Sequence, residues 1–143
     1  MSYSDLRRVQ SPEFCMGKWP LNGHALDVSG HGNHGTASDV TYTDGPHGRQ
    51  VGVFNGTTGY VTVGDAASLD FGTGSFSVAA WVRASDLTDV AGSILSKYDT
   101  ANKRGWGLDV GPVGVEGNTR RAQFYLNNGT SAALWTEVAP KLG

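Results

Sequence analysis

The sequence predicts an all-β protein, an antiparallel β-sandwich of the jelly-roll type, on three observations. Short apolar clusters recur along the chain, and Gly, Asn, Asp and Ser separate them. Glycine accounts for 21 of the 143 residues, about twice its ordinary share. No stretch keeps the period of an amphipathic helix, so about eight short strands account for the pattern.

Three strands are predicted in the first half of the chain. Residues 14–21 are the first, with Pro20 suited to a strand end. Residues 51–54 and 60–63 are the second and third. The loop of residues 55–59 is predicted to join these two strands as a hairpin.

Residues 75–84 are the strongest predicted strand, because their side chains alternate with period two. Phe76, Val78 and Val82 fall on one face, whereas Trp81 falls on the otherwise more polar face. Trp81 is therefore expected either to be covered there or to be exposed for a function.

The second half of the chain is predicted to hold four more strands. They are residues 93–98, 105–110, 122–126 and 133–138. The sequence Asn127-Asn128-Gly129 predicts a hairpin turn before the last strand, because Asn-Gly is a strong turn signal.

Composition excludes several classes of protein. Lys and Arg number 11 against 13 Asp and Glu, and the net charge of −2 gives no basis for nucleic-acid binding. No apolar run is long enough to span a bilayer, so no membrane insertion is expected. The single Cys15 excludes an internal disulfide.

We expect a domain over residues 13–143 and a separate arm over residues 1–12, which contains little to bury. This polar N-terminal segment lacks the apolar region of a secretory signal peptide. The chain is therefore expected to be cytosolic when made, exported by another route, or an excerpt from a larger protein.

Four segments together resemble a known family. They are Trp19-Pro-Leu-Asn-Gly23, the loop Asp27-Val-Ser-Gly-His-Gly-Asn-His-Gly-Thr36, Val53-Phe-Asn-Gly56 with Tyr60-Val-Thr-Val63, and Ser75-Phe-Ser-Val-Ala-Ala-Trp-Val-Arg83. Their order is similar to that of the laminin-G-like domains of the concanavalin A-like lectin/glucanase superfamily.

The resemblance implies a jelly roll that binds glycans, cell-surface proteins or other copies of itself, often with a calcium ion. It also implies closing strands that are not found after Leu126. We expect these strands to be missing, lost by truncation, or supplied by a partner chain, and the last case predicts a homo-oligomer or a larger assembly.

The loop of residues 27–36 is the predicted calcium site, mainly because of the resemblance. Asp27 offers a carboxylate, Asn33 an amide oxygen and Gly30 a carbonyl, and calcium prefers such oxygen ligands. The alternative is a rigid turn whose polar side chains bond to the local backbone.

No catalytic pattern is found, and the chain is predicted not to be an enzyme. Glycosidases need two carboxyls about 5 Å apart for a retaining mechanism, but the three glutamates are widely separated. The match of Gly30, Gly32 and Gly35 to a dinucleotide fingerprint has no surrounding βαβ unit.

Trp81, Tyr98 and Trp106 are the predicted ligand-binding residues, because aromatic rings stack on sugars. The alternative for each is packing within the sheets, which is the commoner use of large aromatics.

Two functions remain open. The first is a non-enzymatic, extracellular adhesion module that recognises a glycan or a protein surface. The second is a structural phage protein of the virion surface, either a capsid decoration or a tail fibre, which would explain the absence of a signal peptide.

Overall fold

The computed structural model describes residues 14–84, 92–111, 121–129 and 134–138. They fall into two compact units, one ending at Phe76 and the other beginning at Ser77. The described residues contain eight strands, all in antiparallel pairs, and two short 3-10 turns, which confirms the predicted all-β class. The predicted arm of residues 1–12 lies outside the described residues.

The first unit is built on one long hairpin that is interrupted half-way. Its strands are β1 (Gly35–Ser38), β2 (Val40–Asp44), β3 (Gln50–Phe54) and β4 (Tyr60–Val63). β2 pairs with β3 at the tip, and β1 pairs with β4 at the base. At the tip, the chain reverses direction through a 3-10 segment, Pro46–Gly48. The N–H of Gly45 closes this turn by donating to the carbonyl of Arg49 at 2.7 Å.

The two ladders are separated by Asp39 on one side and by residues 55–59 on the other. Asp39 has a φ of 50°, a left-handed conformation that Asp tolerates better than most residues. The side-chain oxygen of Asn55 accepts the N–H groups of Thr57, Thr58 and Gly59 at 2.8–3.0 Å. This turn is self-contained, so the chain resumes pairing beyond it.

The predicted hairpin between residues 51–54 and 60–63 is therefore wrong, although both strands are confirmed. Each strand pairs instead with a segment before it, and the loop of residues 55–59 is a bulge on one side of a longer hairpin. The partners β1 and β2 were not predicted, because their threonines and serine give no apolar alternation.

The predicted strand over residues 14–21 is also wrong. Lys18 bonds to the loop that follows: its carbonyl accepts the N–H of Val28 at 2.8 Å, and its N–H donates to the Asp27 carboxylate at 2.9 Å. Pro20 has no N–H to donate, and Leu21 takes a φ of 52°. The segment is extended against this loop and does not form a ladder.

The second unit contains a four-stranded antiparallel meander. Its strands are β5 (Gly92–Asp99), β6 (Arg104–Gly111), β7 (Arg121–Asn128) and β8 (Leu134–Val138), in that spatial order. All four predicted strands of this half are confirmed. The register pairs Leu126 with Leu134, so the connection after Asn127 and Asn128 is longer than a two-residue turn.

Gly105 permits the tight approach of β6 to β5. Its φ is 125°, and a Cβ at this position would lie 2.0 Å from the carbonyl oxygen of Lys97. A side chain here would therefore collide with the backbone of the neighbouring strand.

Alternation along β6 and β7 divides the sheet into two faces. On the apolar face, Trp106 pairs with Leu126, Leu108 with Phe124, and Val110 with Ala122. The rings of Trp106 and Phe124 are stacked with centroids 6.4 Å apart. The intervening register positions form the polar face. On β5 to β7 they are Ser93, Ser96, Tyr98, Gly105, Gly107, Asp109, Gly111, Arg121, Gln123, Tyr125 and Asn127, and on β8 they are Trp135 and Glu137.

The predicted strand over residues 75–84 is not formed. Its alternating pattern divides the side chains between two faces, but a strand also needs a hydrogen-bonded neighbour, and no described segment pairs with it. Phe76 stacks on Phe71 with ring centroids 4.6 Å apart. Trp81 is fully exposed.

Candidate functional site

Asp27 and Asn33 form a buried polar cluster in the first unit, with side chains 6% and 7% exposed. One carboxylate oxygen of Asp27 accepts the N–H groups of Lys18 at 2.9 Å and Ser29 at 2.8 Å. The other accepts the hydroxyl of Ser29 at 2.8 Å and the N–H of Asn33 at 3.0 Å. Both oxygens of the carboxylate are thus engaged by the chain itself.

Asn33 connects this loop to two further segments. Its amide donates to the carbonyl of Met16 at 2.7 Å, and its side-chain oxygen accepts the hydroxyl of Ser68 at 3.1 Å. Its backbone carbonyl accepts the indole N–H of Trp19 at 2.8 Å. Asn33 therefore holds residues 16–19 and the 3-10 turn Ala67–Leu69 against one loop.

The hydrogen bonds keep Asp27 ionised. Burial alone would raise the pKa of its carboxyl, but the donors of Lys18, Ser29 and Asn33 outweigh that effect and lower the pKa below 3.8. A buried carboxylate with this many donors stabilises the fold of its loop.

The predicted calcium ligands are brought together in part. Asp27 and Asn33 are in contact, whereas Gly30 is exposed on the loop between them with a φ of 100°. Because N–H and O–H donors already occupy the oxygens of both side chains, the arrangement fits a calcium ion poorly without rearrangement. The geometry corresponds to the alternative of a rigid turn, and the calcium site stays a prediction.

A second pair of polar side chains, each with a buried oxygen atom, lies on the polar face of the four-stranded sheet. Asp109 of β6 and Gln123 of β7 are direct cross-strand partners, and such Cβ atoms lie roughly 5 Å apart. Gln123 is 2% exposed. The Oδ1 of Asp109 and the Oε1 of Gln123 are both buried, and neither accepts a hydrogen bond.

The same face carries a shallow hollow of about 350 Å³. Its lining residues are Ser93, Ser96, Tyr98, Thr100, Asp109 and Tyr125. The rings of Tyr98 and Tyr125 meet edge to face with centroids 5.5 Å apart. The Tyr125 ring extends over Gly107, where an added Cβ would lie 2.4 Å from it.

The hydroxyl of Tyr125 remains protonated at neutral pH. Burial, and then the nearby Asp109 carboxylate and Tyr98, raise its pKa above 10.0. A protonated phenol can both donate and accept a hydrogen bond. The hollow thus combines a carboxylate, hydroxyls and two aromatic rings.

The predicted aromatic residues lie in three different environments. Tyr98 lines the hollow on the polar face. Trp106 lies on the opposite face and packs on Phe124. Trp81 is exposed in an extended segment outside the sheet. The structure therefore does not bring the three residues together as one site, and their ligand roles stay predictions.

The comparison with protein families decides the classification. The model of the concanavalin A-like lectin/glucanases superfamily, in its laminin-G form, matches residues 55–142, more than half of the chain. The chain belongs to this superfamily. Neither the curated proteins nor the solved structures gave a match. The match confirms both the predicted resemblance and the predicted β-sandwich fold class.

Membership gives a coarse statement of function. Laminin-G-like domains are generally non-catalytic binding modules for glycans or proteins, and they are typically extracellular. Within the described residues, no helix has the length and apolar character needed to cross a membrane.

Sequence reasoning missed Asp109 and Gln123 as a pair. Nothing in the spacing of these two residues marks them, because they meet only through the register of β6 with β7. The available signal was the alternation itself, since a Gln or Asp between apolar residues of a strand must face the opposite side from them. Tyr98 was found because aromatic residues were considered individually.

Proposed function

We propose that this laminin-G-like domain is a non-enzymatic binding module that recognises a glycan on the polar face of its four-stranded sheet. The observation that carries the proposal is the pair of buried, unpartnered oxygens on Asp109 and Gln123 beside the hollow. Buried polar atoms are normally hydrogen-bonded, so two neighbouring acceptors without a partner in the chain call for donors from another molecule.

The lining of the hollow supports a sugar as the ligand. Hydroxyl-bearing ligands need both hydrogen-bonding partners and a flat apolar surface for their C–H groups. Asp109, Ser93 and Ser96 supply the first, and the rings of Tyr98 and Tyr125 supply the second. These groups come from three neighbouring strands, so the sheet holds them in fixed positions.

The opposite face offers a different surface. Trp106, Leu108 and Phe124 present large apolar groups there, and Trp106 already stacks on Phe124. Such a face suits packing better than recognition of a hydroxyl-rich ligand. The proposal therefore assigns recognition to Tyr98 and gives Trp106 a packing role.

The experiment is a glycan array followed by titration calorimetry on three matched variants. Tyr98→Phe and Tyr125→Phe keep each ring but remove the hydroxyl from the hollow. Tyr60→Phe makes the same change on β4 in the first unit, where Tyr60 is 55% exposed. We expect the first two variants to weaken binding by about tenfold, one lost hydrogen bond, and the third to leave it unchanged.

Equal binding by all four proteins would contradict a site on this face. Trp81→Ala then identifies the other candidate surface, since Trp81 is fully exposed. Loss of binding in that variant alone would place recognition at Trp81.

The assembly role stays a prediction. Light scattering of the full chain tests the predicted oligomer. Thermal unfolding with and without a calcium chelator tests the predicted ion. A monomer whose thermal stability is unaffected by the chelator would contradict both.

A further inference from the structure

We infer that residues 77–84, the interface segment, pair antiparallel with the same segment of a second copy of this chain. The interface segment begins the second unit and is extended, but it belongs to no described sheet. It lies outside the four-stranded sheet that carries the hollow. This surface is therefore separate from the proposed glycan site.

The backbone of the interface segment is available for pairing. None of its residues is proline, so each one carries both an N–H donor and a carbonyl acceptor. Among the residues that the structure describes, none exchanges a hydrogen bond with this segment. A row of unpaired backbone groups on an extended chain is a template on which a strand of another chain can form.

The side chains of the interface segment are suited to a sheet, yet most of them are exposed. Val78, Ala80 and Val82 alternate with the residues between them, and this period of two is that of a strand. Trp81 is fully exposed, and every residue from 79 to 84 is exposed. Branched and aromatic side chains favour strands, and apolar groups exposed side by side mark surfaces that bind other macromolecules.

The interface segment lacks the features that protect an outer strand of the four-stranded sheet. The register of β5 shifts between Ser93 and Leu95, and Lys97 follows in the same strand. Bulges and lysines of this kind discourage pairing with another chain. The interface segment has a single charged residue, Arg83, close to its end. It is therefore more open to pairing than β5 is.

The partner is a second copy because the interface segment is complementary to itself. Antiparallel pairing about Ala80 keeps the apolar side chains of both copies on one face, since direct partners share a face. The resulting pairs across the two chains are Trp81 with Ala79, Val82 with Val78, and Arg83 with Ser77. The largest side chain thus lies opposite a small one, and no like charges meet. Such a twofold contact closes on itself as a dimer.

The first test is light scattering over a dilution series of the full chain, which should show a dimer that dissociates. Trp81→Ala removes the largest group of the interface and should raise the dissociation constant at least about tenfold. Phe14→Ala is the matched control, because Phe14 is an aromatic residue 60% exposed in the first unit. It should leave the dissociation constant unchanged.

Proline substitution tests whether the copies pair through their backbones. Ala79→Pro and Ala80→Pro are made separately, because the N–H groups of successive residues point to opposite edges of a strand. At least one of them should abolish the dimer by removing a donor to the second copy. Circular dichroism should show an unchanged fold, since these residues make no hydrogen bond to the described part of the chain.

Cross-linking gives a result even if the proline variants unfold. Ala80→Cys is made in a Cys15→Ser background, which removes the single natural thiol. A short bis-maleimide should then join two copies at position 80. Thr43→Cys in the same background is the control, because Thr43 is exposed on β2 of the first unit. It should remain largely monomeric under the same conditions.

A chain that is monomeric at every concentration would overturn the inference, and a glycan or a different protein would then be the occupant of Trp81. A dimer left intact by Trp81→Ala would also overturn it, as would cross-linking no greater at position 80 than at position 43. Tyr98→Phe and Tyr125→Phe should leave the dissociation constant unchanged. Failure of the interface and failure of the glycan site are thus distinguishable.

Discussion

Two clusters of polar side chains with buried oxygen atoms, one in each unit, use their hydrogen-bonding groups in opposite ways. In the first unit, Asp27 and Asn33 have the oxygens of their side chains fully engaged by donors of the chain. In the second, Asp109 and Gln123 each leave a buried oxygen unpaired. Burial is similar for Asn33 and Gln123, so the number of hydrogen-bonding partners within the chain is what distinguishes the two clusters.

The largest expected change in stability comes from removing the Asp27 carboxylate. Asp27→Ala leaves the N–H groups of Lys18, Ser29 and Asn33 without the buried carboxylate that accepts all three. We expect the free energy of unfolding to fall by about 3 kcal/mol, measured by urea denaturation. Asp44→Ala is the control, because Asp44 is exposed; an equal effect of the two substitutions would contradict the role of Asp27.

The same carboxylate predicts the direction of acid sensitivity. The pKa of Asp27 is lowered in the folded state, so its contribution to stability is complete above its ordinary value of 3.8 and is lost as the pH falls through the folded-state pKa. Denaturation at a series of pH values between about 2 and 7 should show that the natural chain loses stability more steeply at low pH than Asp27→Asn does. Parallel curves would show that Asp27 does not link folding to protonation.

A substitution at Gln123 on the four-stranded sheet is expected to raise the free energy of unfolding. Gln123→Met replaces a buried side chain whose oxygen has no partner with an apolar one of similar length. The free energy of unfolding should therefore rise by about 1 kcal/mol, while affinity for the glycan falls. A side chain that merely supports the fold would lose stability instead, and calorimetry with thermal unfolding separates these results.

The smallest change in the free energy of unfolding is expected at Asn55, because its turn is exposed to water. Its side-chain oxygen accepts three backbone N–H groups, as many as the Asp27 carboxylate accepts, but the loop is exposed. Water can replace the lost acceptor, so Asn55→Ala should cost about 1 kcal/mol or less. If Asn55→Ala lowered the free energy of unfolding as much as Asp27→Ala, burial would not explain the difference between the two positions.

Sequence reasoning found strands where apolar side chains alternate, and it did not find their partners. The predicted bounds of β4 are those of the structure, and β5 to β8 were located to within one or two residues. The pairing of β3 with β2 was not predictable, because the turn at Asn55 had the composition of an ordinary hairpin loop. Register depends on long-range contacts that composition does not encode.

The candidate site was predictable to a smaller extent. Asp27 and Asn33 were chosen together and do lie together, yet the hydrogen-bonding partners of Asn33 lie in segments as distant as Met16 and Ser68, which no local motif contains. Asp109 and Gln123 needed both the sheet and its register before they became neighbours. Motifs along the chain thus identify a cluster formed within one loop, whereas sites on a sheet face arise from separate strands.

The most direct test of glycan recognition is an NMR titration that follows the side-chain amides of Gln123 and Asn33 in one sample. The titrant is the oligosaccharide that binds most tightly on the glycan array. A ligand on the polar face should shift the Gln123 amide while the Asn33 amide, with both its donor and its acceptor engaged by the chain, stays in place. A saturating titration that leaves the Gln123 amide unmoved would contradict the account.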